Sequence, residues 1–83
     1  MDINRLTGPL TPEAEGAIDD MFEYHAWTSL QVAAGKEVRE ALAETVKIIV
    51  AVVPPCPDRT VAIRKLREAR MDCNSAITHG GKY

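Results

Sequence analysis

The sequence has few of the features that usually give a small fold extra stability. Its 83 residues include only two cysteines, Cys56 and Cys73. Two cysteines are too few for a disulfide framework, and these lack the CxxC or His/Cys spacing of a structural zinc site. A chain of this length buries only about 60% of the surface that it exposes when unfolded. We therefore expect homo-oligomerisation to supply the missing stabilisation.

The sequence also lacks a long apolar segment. Its longest apolar run, Ile48–Val53, is far shorter than the roughly 20 residues that span a bilayer. No basic n-region followed by an apolar stretch opens the chain. These observations predict a cytoplasmic protein that does not interact with membranes.

Basic charge is scarce too, with a net charge of −2 and a pI near 5.6. A domain that binds duplex DNA usually has a pI above about 9, because phosphate neutralisation supplies most of the affinity. The charge is nevertheless uneven: residues 1–30 have one basic group and six acids, whereas residues 31–83 have nine basic groups and six acids. This balance argues against DNA and favours a small ligand with two or three phosphates.

No catalytic constellation or cofactor motif is present. The sequence has no Gly-rich phosphate loop or dinucleotide fingerprint. Cys56 follows two prolines, but no His or Asn spacing supports a thiol hydrolase. His25 and His79, the only histidines, have no convincing metal partners, which favours surface or capping roles. We therefore expect a binding protein with no metal and no cofactor.

The sequence predicts an all-α fold in two parts: a loose arm over residues 1–10 and one domain over residues 11–83. Thr11 supplies an N-cap and Pro12 suits the first position of a short helix that ends near Glu23. Its apolar stripe consists of Ala14, Ala17, Ile18 and Met21.

Thr28 and Gln31 form a capping box, so the second helix is predicted to begin at Thr28. Apolar positions at alternating steps of four and three define its packing face: Val38, Ala41 or Leu42, Thr45 or Val46, Ile49 and Val52. The end of this helix is apolar on all sides, which predicts burial between subunits. A β-strand is the competing interpretation of this β-branched run.

Pro54 and Pro55 end the second helix, and Pro57 suits the first position of a third, with Gly80 and Gly81 at its C-cap. The short connection predicts a long antiparallel helical hairpin. Its seam on the third helix would consist of Ala62, Leu66, Ala69, Cys73 and Ala76.

Two groups of residues have the chemistry of a nucleotide site. Thr60, Arg64 and Arg67 share one face of the third helix, with Arg59, Lys65 and Arg70 alongside. Guanidinium groups bind phosphate in a bidentate manner. The alternative is a solvated face paired with Glu68 and Asp72. The second group lies between the first two helices and could stack on nucleobases: Phe22, Tyr24, His25 and Trp27. The alternative here is that Phe22 and Trp27 close the core, which leaves Tyr24 and His25 free.

Several of these motifs resemble a known family. They are Phe22–His25, Gln31, Arg39, Pro54–Pro55 and the stretch DRTVAIRKLREARMDCNSAI over Asp58–Ile77. The pattern resembles the hairpin domain of phage anti-CBASS sponge proteins, which is shared with Thoeris anti-defence proteins, and covers roughly residues 20 to 78. Asp72 departs from it, since family members often have tryptophan there.

The resemblance implies a bacteriophage protein of immune evasion that acts in the cytoplasm of the infected bacterium. Such a nucleotide sponge binds cyclic dinucleotides and cyclic trinucleotides and withholds them from CBASS effectors without cleavage. Family members are homohexamers, with cyclic dinucleotides between subunits and separate sites for cyclic trinucleotides. On this basis Tyr24 would stack on a base, with His25 beside it, and Arg39 or Lys36 would contact phosphate across an interface. The alternative function is a helical-hairpin adaptor that binds another protein and has no small-molecule ligand.

Overall fold

A computed structural model describes residues 3–83, and its secondary structure is helical throughout that range, with no β-strand. A 3₁₀ turn at Ile3–Arg5 precedes three α-helices: α1 (Pro12–Phe22), α2 (Ser29–Val52) and α3 (Pro57–His79). The all-α prediction is therefore confirmed, and the strand interpretation of the Ile48–Val53 run is wrong. The first two residues of the predicted arm lie outside the described part of the chain.

Helix boundaries follow from local capping interactions. The Thr11 hydroxyl accepts a hydrogen bond from the Ala14 amide, with Pro12 at the first position of α1. In the predicted capping box, Thr28 accepts from the Gln31 amide and its own amide donates to Gln31 Oε1. Thr28 is thus the N-cap, and α2 begins one residue later than predicted.

The third helix also has the predicted ends. Pro57 is its first residue, and Gly80 ends it in a left-handed conformation, with φ of 61°. Gly81 donates its amide hydrogen to the carbonyl oxygen of Ala76, which closes the last turn. A left-handed residue of this kind is the usual way to satisfy the final carbonyls of a helix.

Helices α2 and α3 pack against each other with the start of α2 beside the end of α3. Trp27 Nε1 donates to Thr78 Oγ1 at 2.7 Å, and Gln31 Nε2 donates to the Ile77 carbonyl at 2.9 Å. At the other end, Arg59 Nη1 donates to the Val53 carbonyl across the short connection. These three bonds hold both ends of the helix pair.

The less exposed face of α2 follows the predicted spacing, with one correction on α2 and another on the facing side of α3. Its shielded positions are Gln31, Gly35, Val38, Leu42, Val46 and Ile49. Val52 was predicted in this seam but is 73% exposed, because α2 ends there and α3 does not cover it. On α3, Ala76 is exposed and Ile77 takes the shielded position.

The chain has very little core. Among the described residues, Ala14 is the one apolar side chain classed as buried. The accessible surface of 6658 Å² exceeds the roughly 4,900 Å² typical of a folded monomer of this mass. The radius of gyration, 17.1 Å, likewise exceeds the roughly 12 Å expected for a compact domain of this length. The packing of this chain alone therefore leaves an unusually large surface in solvent.

Candidate functional site

A groove runs between the two long helices, with an aliphatic floor and arginines along its edges. We call it the two-helix groove, and its volume is about 140 Å³. Arg39 comes from α2, and Arg67 and Arg70 come from α3. The remaining lining residues are Leu42, Ala43, Val46 and Leu66. Sequence reasoning placed Arg67 and Arg70 together on α3 but did not predict that they share a groove with Arg39.

The predicted arginine face of α3 lines a second groove of about 200 Å³, which we call the α3 groove. It is lined by Arg59, Thr60, Ile63, Arg64 and Arg67. All four of the α3 residues predicted as ligand contacts therefore lie together. Arg67 belongs to both grooves, so the two candidate sites adjoin at one guanidinium group.

The arginines of both grooves have no carboxylate partner. Within residues 3–83, no Asp or Glu oxygen lies within 4.0 Å of the guanidinium groups of Arg39, Arg64, Arg67 or Arg70. The pairing with Glu68 and Asp72 in the alternative interpretation is therefore not formed, although Thr60, Arg64 and Arg67 are exposed to solvent as that interpretation predicts. Each guanidinium keeps donors that fit phosphate or carboxylate oxygens in a bidentate contact.

Lys36 and Tyr24 lie outside the lining of these two grooves. The Lys36 ammonium is 3.8 Å from Glu40 one turn away, and both side chains are exposed. Tyr24, in the connection between α1 and α2, is 92% exposed, so its ring is available to a base or to a second chain. Arg39 lies roughly 16 Å along α2 from Thr28 at 1.5 Å per residue, and Tyr24 precedes Thr28 by four residues in the connection.

Of the two aromatic residues that the alternative interpretation assigned to the core, Trp27 packs against the fold and Phe22 does not. Trp27 packs its ring over Gly35 and donates to Thr78, so the fold uses it and it is not a free stacking platform. Phe22, the other side chain assigned to core closure in the alternative interpretation, is instead 86% exposed.

His25 is not free in solvent. Its Nε2 lies 2.8 Å from the Asp20 carbonyl oxygen and 3.4 Å from Asp20 Oδ1, and its ring meets that of His79 edge to face. Both histidines lie beside the Asp20 carboxylate, a neighbour that the sequence analysis did not identify. This cluster is not apparent in the sequence, because His79 is more than 50 residues from Asp20 and His25 and lies beside them only when α3 packs back along α2.

Two residues near the end of the chain complete the surroundings of Asp20. Tyr83 donates its hydroxyl hydrogen to Asp20 Oδ2 at 2.8 Å, and Lys82 Nζ is 3.6 Å from the same oxygen. The Tyr83 hydrogen bond, helped by Lys82, holds the pKa of Asp20 below its usual value. The same bond raises the pKa of the Tyr83 hydroxyl. Asp20 is therefore a stable acceptor in its charged form.

Comparison with known proteins adds no family assignment. No family model, curated protein or solved structure matches this chain. The resemblance to the sponge family therefore rests on its sequence motifs. A search of the described helices also finds none that is long and apolar enough to cross a membrane.

Proposed function

We propose that this protein binds cyclic dinucleotides and cyclic trinucleotides and withholds them from the effectors of bacterial CBASS immunity. In this proposal it is a phage anti-CBASS sponge that acts in the cytoplasm of the infected host. The observation that carries the proposal is the two-helix groove, where three arginines without carboxylate partners surround an aliphatic floor.

The chemistry of this groove matches that of a cyclic oligonucleotide. Such a ligand has one phosphate per nucleotide and presents flat, largely apolar base and sugar surfaces. Arg39, Arg67 and Arg70 would bind phosphate oxygens, and Leu42 and Val46 would contact a base or ribose. Guanidinium groups remain protonated and aliphatic side chains have no acid–base chemistry, so this lining favours sequestration over cleavage.

We further propose that the functional unit is a homo-oligomer of α2–α3 hairpins, with a hexamer expected from the family resemblance. The support is the large accessible surface and the exposed apolar end of α2. Burial of these side chains between copies would contribute about 25 cal/mol per Å² of apolar surface. In such an assembly, Tyr24 of one copy would reach a ligand held by the arginines of another.

Thermal melting with and without cyclic GMP-AMP tests the proposal. A ligand that binds only the folded state raises the free energy of unfolding, by about 2.7 kcal/mol when its concentration is a hundred times Kd. The melting midpoint rises as a result. Arg39→Gln should abolish most of this shift, whereas Lys47→Gln, the same kind of charge loss elsewhere on α2, should preserve it. No shift with any cyclic di- or trinucleotide would refute the proposal.

The two grooves allow a sharper test of whether two sites exist. If each groove serves one ligand class, Arg39→Gln should weaken cyclic dinucleotide binding and spare the trinucleotide. Arg64→Gln should have the opposite effect, and Arg67→Gln should weaken both because Arg67 lines both grooves. Titration calorimetry of each variant with both ligands, at verified oligomer size, measures this. Parallel losses for Arg39→Gln and Arg64→Gln would instead mean one shared site.

The exposed apolar end of α2 favours a second candidate function, a helical-hairpin adaptor that binds another protein. Ile48 and Val50 are each 53% exposed, and Val52 more so. An unpartnered patch of this kind is a common protein-binding feature. The adaptor function predicts that cyclic nucleotides leave the melting midpoint unchanged and that Arg39→Gln leaves binding of the partner protein unchanged. These two results distinguish the adaptor function from the sponge function.

A further inference from the structure

Three potential metal ligands converge at the far end of the molecule from the α2–α3 connection. Asp20 lies near the end of α1, His25 in the connection to α2, and His79 at the end of α3. His25 Nε2 is 3.4 Å from Asp20 Oδ1, and His79 Nδ1 is 4.0 Å from Asp20 Oδ2. One ligand atom from each residue lies within 4.8 Å of the other two.

The His25–Asp20 separation matches that of a tetrahedral metal site, and the His79–Asp20 separation, to the other carboxylate oxygen, is wider. Zinc bonds to histidine nitrogen and carboxylate oxygen are about 2.0–2.2 Å long, so neighbouring ligand atoms in a tetrahedron lie roughly 3.4 Å apart. His25 Nε2 would have to give up its 2.8 Å hydrogen bond with the Asp20 carbonyl oxygen, and side-chain rotations would then bring all three groups onto one ion. The site is also sheltered, since the His79 side chain is 9% exposed and the other two about one third.

We propose that Asp20, His25 and His79 form a site for a divalent transition-metal ion, with Zn²⁺ as the expected occupant. Imidazole nitrogen favours zinc and its neighbours over Mg²⁺ and Ca²⁺, which prefer oxygen ligands alone. Three protein ligands leave a fourth position open. This function is separate from the nucleotide grooves and does not depend on them.

The Tyr83 hydrogen bond to Asp20 supports this assignment, whereas Lys82 competes with the ion for the carboxylate. Tyr83 donates to Asp20 Oδ2 and leaves Oδ1 on the His25 side, which fixes the carboxylate. Hydrogen bonds of this kind commonly orient metal ligands. The Lys82 ammonium, 3.6 Å from Asp20 Oδ2, places a cation beside the carboxylate that the metal ion would contact. Lys82 is 66% exposed and free to move away when the ion binds.

Metal binding would also tie α1 to the rest of the fold. The described bonds between α1 and the end of the chain converge on this region, including that from the Tyr83 hydroxyl to the Ala17 carbonyl. An ion held by residues of α1, its following connection and α3 would cross-link these elements. It would therefore stabilise the folded state.

Zinc titration by calorimetry, on full-length protein with Cys56→Ser and Cys73→Ser to remove thiol binding, tests the site. Asp20→Asn, His25→Gln and His79→Gln should each weaken binding more than tenfold, and Tyr83→Phe about 10- to 100-fold. Asp19→Asn, an equal charge change one residue away, should have no effect. Lys82→Gln should tighten binding, because it removes a competing cation.

Cobalt absorption tests the site without substitutions at Asp20, His25 or His79, so it does not depend on whether those variants fold. Co²⁺ added to the cysteine-free protein should give the intense visible bands of tetrahedral nitrogen and oxygen coordination, and Zn²⁺ should displace it. The proposal is overturned if the protein binds no zinc at micromolar concentration or if Co²⁺ shows only weak octahedral bands. Unchanged affinity in folded His79→Gln would overturn it as well.

Discussion

Tyr24 and Phe22 are neighbouring aromatic side chains that differ little in exposure, at 92% and 86%. Neither has a hydrogen bond or ring contact among the described residues. Replacement of either side chain by alanine should therefore leave the structure of the single chain unchanged. This makes the pair a clean test of the predicted role of Tyr24 in base stacking.

We predict that Tyr24→Ala weakens cyclic dinucleotide binding by about 1–3 kcal/mol, the usual contribution of one base stacked on an aromatic side chain. That corresponds to a roughly five- to hundredfold higher Kd. Tyr24→Phe should retain most of the affinity, and Phe22→Ala is the matched control with expected wild-type affinity. Calorimetry measures the affinity of each variant for the cyclic dinucleotide, with oligomer size checked. Equal losses of affinity in Phe22→Ala and Tyr24→Ala would contradict a specific stacking role for Tyr24.

Gly35 and Trp27 determine how the connection before α2 packs. A Cβ atom at Gly35 would lie 2.6 Å from Trp27 Cη2, too close for the ring to stay in place. Alanine is intrinsically the better helix residue by about 1 kcal/mol, so the packing and the propensity oppose each other.

We predict that Gly35→Ala lowers the free energy of unfolding by about 1–3 kcal/mol, the usual cost of overpacking. Gly16→Ala in α1 is the matched control, because nothing lies within 4 Å of its added methyl group. It should be neutral or stabilising by up to about 1 kcal/mol. Urea denaturation of both variants measures the difference, and a stabilised Gly35→Ala would show that the Trp27 ring is not held there.

At the scale of elements, the Gln31 side chain both caps α2 and bonds α2 to α3. Its side-chain oxygen caps the start of α2, and its side-chain nitrogen donates to the Ile77 carbonyl near the end of α3. The same residue thus fixes where α2 begins and where α3 lies beside it.

We predict that Gln31→Ala costs about 1–2 kcal/mol of stability, because it removes a cap and a hydrogen bond between helices. Gln31→Glu separates the roles: it keeps the capping oxygen but has no donor for Ile77. It should therefore lie between wild type and Gln31→Ala in denaturant unfolding. A Gln31→Glu protein as stable as wild type would mean that the bond to Ile77 contributes nothing.

At the scale of the whole molecule, the exposed apolar surface is the dominant feature. Among the described residues one apolar side chain is buried, and a core this small usually needs further stabilisation in a chain of this length. Association of copies would bury the end of α2 and shelter a ligand held in the grooves.

We predict an oligomer larger than a dimer in solution, and its disruption by Val50→Asp or Val53→Asp, which would bury an unpaired charge. Val50→Thr keeps the shape without the charge and should remain assembled. Light scattering measures the mass of each variant. A monodisperse wild-type monomer would contradict the prediction.

The sequence alone determined where helices begin and end, because caps act over three or four residues. Thr11 with Pro12, Thr28 with Gln31, Pro57 and Gly80 mark their boundaries in the structure within one residue of the predictions. The arginine face of α3 was predictable for the same reason, since positions within one helix fix their own geometry.

Only the tertiary structure decided which distant residues meet. The rotation of α3 about its axis places Ile77, and not Ala76, toward the shielded side. The return of α3 beside α2 brings Arg67 and Arg70 opposite Arg39, and brings His79 to His25 and Asp20. Neither follows from local pattern, because the packing of one helix against another depends on every side chain along their contact.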